Sequence, residues 1–260
     1  MELGIRNKYA IITGGSHGIG RAIALALADE GCNIAVCARN KERIEKIIRE
    51  IEAKSVAAIG ISADITSLAD IERVMKTVID SWGTIHILVN NAGGGGRWGS
   101  NKVEETSEDI WVDVYNKNAL AAIRFTMKVI PYMRKQKWGR VVTITSTYGR
   151  EGGGRPWFNM AKTAQTALMK NLAMQKELVR DRITFNSVAP GCIMIPDTGW
   201  EKEQKADPVK FEEKVDHQFP LGRLGTPVEV ANVVAFICSE RAVLVNGACI
   251  TVDGGESRSF

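Results

Sequence analysis

Glycines at 14, 18 and 20 punctuate the run Thr13-Gly14-Gly15-Ser16-His17-Gly18-Ile19-Gly20, which lies between a short apolar run and a helical pattern. Glycines placed there let the chain turn tightly, bring its backbone against a pyrophosphate and seat a helix on a sheet. The free N–H groups of the helix start, around Ile19, then face the phosphates. The spacing is GxxxGxG and not the GxGxxG fingerprint of other dinucleotide sites. At the end of the second strand, where an acidic residue would hydrogen-bond the ribose of NAD, stand Ala38 and then Arg39. A guanidinium there pairs bidentately with a 2′-phosphate, and Ser16 and His17 add donors. The chemistry these residues suit is binding of NADP(H) in preference to NAD(H).

The elements that must hold such a loop alternate along the chain. Strand-like runs fall at 9–13, 33–37, 57–62, 85–90, 140–145, 183–189 and 248–252, and apolar residues at three- and four-residue spacing predict helices over 21–29, 41–53, 68–81 and 163–179. Seven strands with helices between them imply an α/β fold, a Rossmann-type doubly wound parallel sheet with helices on both faces, as a single domain over 1–260. Ligands then gather beyond the carboxyl ends of the strands. Two segments break the rhythm. Residues 194–225, polar and charged with Trp200, Pro208 and Pro220, are expected to form a substrate lid within the domain. Gly93-Gly94-Gly95-Gly96, followed by Arg97 and Trp98, reads as a loop that a ligand can approach closely.

Composition excludes several classes. With 34 basic and 30 acidic residues the net charge is +4, spread without the basic stripe of a nucleic-acid or membrane-surface binder. Five cysteines without CxxC or Cys/His spacing imply reduced core thiols in a cytoplasmic protein and no metal site. The start of the chain has no leader-like segment, so secretion is not expected, and no apolar stretch approaches the roughly 18 residues of a membrane span. No GxxxxGK[ST] follows a strand, which argues against a P-loop hydrolase.

From Thr13 to the C-terminal region the chain resembles the short-chain dehydrogenase/reductase family. The Gly-rich loop has that family's spacing, and Asn90-Asn91-Ala92-Gly93 matches its NNAG element. Asp64, Asn118, Ser146, Pro190-Gly191, Gly222-Arg223-Leu224-Gly225-Thr226-Pro227 and Val252-Asp253-Gly254-Gly255 follow in family order. The resemblance implies strand order 3-2-1-4-5-6-7, with Asp64 on adenine, Asn90, Ala92 and Gly93 along the adenosine side, and Ile193, beyond Pro190-Gly191, near the nicotinamide carboxamide. A Thr is usual a little beyond Pro-Gly, where this chain has Ile195. Homotetramers or homodimers, built on the helices after the fourth and fifth strands, are also implied.

In the family a Ser donates to the substrate carbonyl, a Tyr gives the proton, a Lys four residues on lowers the Tyr pKa and binds nicotinamide ribose, and an Asn holds a water. Ser146, Lys162 and Asn118 match three of these, but the Tyr position is Phe158. Phe158 and Lys162 are one helical turn apart on one face. Three accounts stay open: an engineered replacement of a native Tyr, a native Phe with another acid such as Tyr148, or a chain that has lost the reaction and kept its cofactor. The activity implied is interconversion of a small-molecule ketone and a secondary alcohol, and the rival is a non-enzymatic NADP(H)-binding protein. Trp98, Arg150, Arg155, Trp157 and Trp200 are expected around the pocket, a mixture suited to a sugar or nucleotide sugar.

Overall fold

The computed structural model describes residues 2–259. Seven strands, β1 Tyr9–Thr13, β2 Asn33–Ala38, β3 Ala58–Ser62, β4 Ile87–Asn90, β5 Gly139–Ile144, β6 Ile183–Pro190 and β7 Cys249–Val252, form one sheet in the order β3-β2-β1-β4-β5-β6-β7, all neighbours parallel. The helices are α1 Gly18–Asp29, α2 Lys41–Glu52, α3 Leu68–Trp82, α4 Glu108–Tyr115, α5 Ala121–Lys135, α6 Pro156–Ala173, α7 Lys176–Arg180, α8 Gly199–Ala206, α9 Pro208–Gln218 and α10 Pro227–Ile237.

The sheet is buried on both faces, so its strands are continuous apolar runs rather than alternating ones. Successive residues of one strand enter different cores. Ile12 and Val36 meet Ile23, Leu27, Ile47, Val230 and Val234 on the side of α1, α2 and α10. Ile11 and Ala35 meet Val74, Val78, Phe125, Val129 and Met169 on the side of α3, α5 and α6.

Helix ends follow local chemistry. Ser67 accepts from the Asp70 N–H at 3.2 Å to start α3, which stops where Gly83 takes the left-handed backbone at φ 70°. Thr226 and Glu229 form a reciprocal capping box on α10, with Pro227 in its first turn. The helix expected over 163–179 is two helices in the structure. Pro156, whose fixed φ suits a first turn, starts α6 well before Thr163, and Gln175 leaves helical backbone at ψ 107° before α7.

Within 194–225, α8 and α9 close over a small core of Phe211, Val215, Phe219 and Leu224, with Trp200 packed against it. Among the described residues no helix is long and apolar enough to cross a membrane, and no cluster of His, Cys, Asp or Glu could hold a metal ion.

Candidate functional site

A cavity of about 920 Å³ opens beyond the carboxyl ends of the strands. It straddles β1 and β4, where successive connections leave in opposite directions along the sheet. Its floor is locked by hydrogen bonds between those strand ends. Thr13 Oγ1 accepts from the N–H groups of Asn91 and Ala92, each at 3.0 Å, and Asn91 Nδ2 donates to the Thr13 carbonyl at 2.9 Å.

One end of the cavity has the features of an anion cradle. Gly14, Ser16, His17, Gly18 and Ile19 line it. Gly14 has φ 65°, and a Cβ there would lie 3.0 Å from the Ala92 Cα; at Gly18, φ 54°, it would lie 2.9 Å from Ile195 Cγ2. Only glycine fits these two turns without strain. Helix α1 has no acidic residue in its first turn and no side-chain cap, so its positive end and free N–H groups remain available to a phosphate. Arg39 and Arg43 also line this end, and Arg43 donates to Asp197 at 3.0 Å. Burial, then the Arg43 charge, hold the His17 imidazole below its usual pKa against the opposing pull of Asp197. His17 is thus a neutral donor or acceptor at neutral pH. Asp64 lines the same end, its carboxylate accepting from the Thr66 N–H at 2.9 Å and the Thr66 hydroxyl at 2.7 Å. Ala92, Gly93, Pro190, Gly191 and Ile193 complete the wall. These residues fit a dinucleotide with a 2′-phosphate: Gly14 and Gly18 leave room for backbone approach, α1 offers N–H donors, and Arg39 and Arg43 offer charge.

Ser146, Phe158 and Lys162 meet in the same cavity wall from two elements. Ser146 follows β5, and its Oγ accepts from the Tyr148 N–H at 3.2 Å, leaving the hydroxyl hydrogen free to donate elsewhere. Phe158 and Lys162 project from α6, with the Lys162 Nζ 5.6 Å from the Phe158 ring centre. Lys162 is almost wholly buried and its ammonium donates to the Ile144 carbonyl at 3.0 Å. Burial alone brings its pKa down to about 7.

Three expected site residues stand behind the wall rather than in it. Gly20 packs against Asn91 and Gly14, so its lack of a Cβ serves helix seating. Asn90 is buried and donates to Thr126 Oγ1 at 3.1 Å. Asn118 lies in a π-helical turn over Asn116–Leu120, a distortion common at functional sites. Its side chain accepts from the Gly94 N–H at 3.1 Å and donates to the Gly94 carbonyl at 2.8 Å, and its own carbonyl accepts from Gln165 Nε2 at 3.0 Å. Asn118 therefore shapes the Gly-rich loop.

The expected pocket aromatics and cations are redistributed. Trp98 and Trp200 line the cavity, but Trp157 is fully buried, edge-on to Trp111 with ring centres 5.3 Å apart, and Arg155 donates to the Ser100 carbonyl. Arg150 lies outside the wall, and so does Tyr148, whose ring rests on Gly153 and Gly154 and whose hydroxyl pKa is raised by burial. Residues that sequence reasoning missed are Arg43, four residues after Arg39, together with Asp113 and Lys117; Arg97 is expected from sequence on the ligand-approach loop, without a role in the wall. Arg97 lies over the Trp200 ring at 5.1 Å and Lys117 over Trp98 at 4.5 Å. The four-residue spacing of arginine at 39 and 43 was a readable signal; the meeting of Lys117 with the Arg97 loop needed the fold.

Residues 14–257 match the family model described as Enoyl-(Acyl carrier protein) reductase. The chain is 36% identical to the 3-oxoacyl-[acyl-carrier-protein] reductase FabG of Staphylococcus epidermidis, over 96% of this chain and 98% of that one. It is 33% identical to dehydrogenase/reductase SDR family member 4 of Oryctolagus cuniculus, over 96% of this chain and 94% of that one. Among solved structures it is similar to L-sorbose reductase of Gluconobacter frateurii complexed with NADPH and L-sorbose, with TM-score 0.91, 32% identity and full coverage of both chains.

Proposed function

The chain belongs to the short-chain dehydrogenase/reductase family, and from that premise we propose that it reduces a ketone to a secondary alcohol with NADPH, its substrate being a polyhydroxylated ketone of sugar size. The observation that carries this reading is the meeting of Ser146 and Lys162 with the Gly14–Ile19 turn and Arg39 in one cavity. The L-sorbose reductase likeness supports the substrate class, and its bound NADPH supports the cofactor.

Bound cofactor would supply the hydride, and the protein's task is to orient and to manage charge. Arg39, Arg43 and Ser16 would hold the 2′-phosphate and the α1 N–H groups the pyrophosphate, with Asp64 on the adenine side and Ile193 on the nicotinamide side. Ser146 donates its free hydroxyl hydrogen to the carbonyl oxygen, stabilising the negative charge that develops there. Phe158 takes the position of the family's Tyr and gives the ring contact without the proton. Helices α8 and α9 act as a lid, with Trp98 and the Arg97 that covers Trp200 facing the sugar.

We place the chain in the cytoplasm, as a homotetramer or homodimer without nucleic-acid partners. Burial pushes the Cys37 and Cys238 thiols up to about 12, which suits inert, reduced core cysteines. Val112, Met127 and Met160, exposed on α4, α5 and α6, suit a subunit interface.

Phe158 favours a second reading in which the cofactor is held but not turned over. Loss of NADPH absorbance with a panel of free ketoses, nucleotide sugars and uncharged aliphatic ketones separates the readings. Turnover best with the ketoses is expected. Aliphatic ketones outcompeting them would remove the substrate class, and tight NADPH binding without turnover of any ketone would favour the second reading.

A further inference from the structure

A carbonyl reduced by hydride must also gain a proton, and at position 158 the chain offers a hydrocarbon ring. Lys162 and Cys192 both carry an ionisable proton in the cavity wall; burial and the neighbouring Glu256 push the Cys192 thiol up to about 12, burial raises the Tyr148 hydroxyl outside the lining, and the ammonium of Lys162 stands beside Phe158. That ammonium donates to the Ile144 carbonyl at 3.0 Å. No carboxylate pairs with it among the described residues, and Asn118, fully engaged with Gly94, Val114 and Gln165, gives it no hydrogen bond. An ammonium has three protons, and one goes to Ile144.

We propose that Lys162 itself delivers the proton to the carbonyl oxygen, filling the role that a hydroxyl at position 158 would have taken. The proposal rests on the ketone-reduction reading above. In the step, the carbonyl carbon gains a C–H bond from the hydride and the C=O π pair moves onto oxygen. An Nζ–H bond breaks, an O–H bond forms, and Lys162 is left as a neutral amine that recovers a proton from water entering the cavity. The ketone is reduced, NADPH is oxidised, and the net proton comes from solvent. A desolvated amine with a pKa near 7 is matched to this work, because an acid is most effective when its pKa lies close to the operating pH.

The test joins a titration with kinetics. Protein labelled with 13C at the lysine ε carbons is titrated by NMR, free and NADPH-bound, the Lys162 signal being assigned with Lys162→Arg. The pH dependence of kcat is then measured for the unaltered chain, for Phe158→Tyr and for Lys162→Arg. The expected result is a Lys162 titration near neutrality and a kcat that falls about tenfold per pH unit above the midpoint found in the complex. Phe158→Tyr should turn over faster and lose dependence on that midpoint. Lys162→Arg, whose guanidinium keeps its charge but does not release a proton, should still bind NADPH and lose turnover, and adding Phe158→Tyr to it should restore turnover.

A kcat indifferent to pH across the Lys162 midpoint, or a midpoint above 9, would overturn the proposal. So would an unaltered chain that is inactive while Phe158→Tyr is active, and that outcome would leave the reductase reading standing. Inactivity of both forms despite NADPH binding would overturn both.

Discussion

A phenyl ring at position 158 packs as a phenol would, against Gly96 and the Trp157 cluster, but it has no exchangeable proton. On the proposed reading, this difference would bear on rate more than on shape. Arg39 bears on cofactor choice. It makes no close ion pair among the described residues, its charge partner being the Asp64 carboxylate, whose pKa it helps lower, so a 2′-phosphate would meet a guanidinium free to pair. Hydrogen bonds to charged groups contribute about 1.5–3 kcal/mol, so Arg39→Ala should weaken NADPH binding roughly 10- to 150-fold. NADH binding should change little. Fluorescence titration with both cofactors checks this, and equal losses for the two would assign Arg39 a structural role instead.

At the scale of elements, the turn into α1 depends on Gly18. A methyl group added there meets Ile195 at 2.9 Å and forces a left-handed residue, so Gly18→Ala should raise the NADPH Kd and also lower the melting temperature, by about 2–4 °C for each kcal/mol of strain. On the far side of the core the capping box of α10 gives a contrasting case. Thr226→Ala should cost about 1 kcal/mol in urea unfolding and weaken NADPH binding less than Gly18→Ala does, since the start of α10 reaches the cavity wall only indirectly, through the pairing of Gly225 with Ile193. The strands and the Gly14–Gly20 turn were legible in sequence because their signals are local: apolar runs, and glycines that no other residue replaces. The break of the expected 163–179 helix was less so, since residues from 163 to 179 keep a helical pattern and Gln175 interrupts it only in φ and ψ. Trp157 and Arg155 looked like pocket residues because sequence gives no direction to a side chain, and α6 begins at Pro156 with Trp157 turned into the core. Arg97 and Lys117 come from different connections and reach one cavity only through the tertiary fold.

For the whole molecule, Lys162 is a buried cation whose presence the fold has to tolerate. Its folded pKa of about 7 lies below its unfolded value. Below 7 both states bind the proton and the cost of burying the charge is constant. Between 7 and the unfolded value only the unfolded state keeps the proton, so stability rises with pH across that window. Lys162→Met removes the charge. It should raise the melting temperature of the cofactor-free protein most at or below neutral pH, and the gain should shrink towards pH 10. A gain that is the same at all pH values would mean that packing, not charge, sets the cost.

An NADPH-dependent ketone reductase in which phenylalanine stands where a tyrosine is usual should turn over without a placed general acid at position 158. The most direct test is to follow NADPH oxidation by a ketose for the unaltered chain and for Phe158→Tyr under the same conditions. Slow but measurable turnover with Phe158 and an increase of ~10²- to 10⁴-fold with the tyrosine, the usual contribution of a placed general acid, are expected. No turnover by the unaltered chain, with NADPH bound, would contradict a reductase working with Phe158.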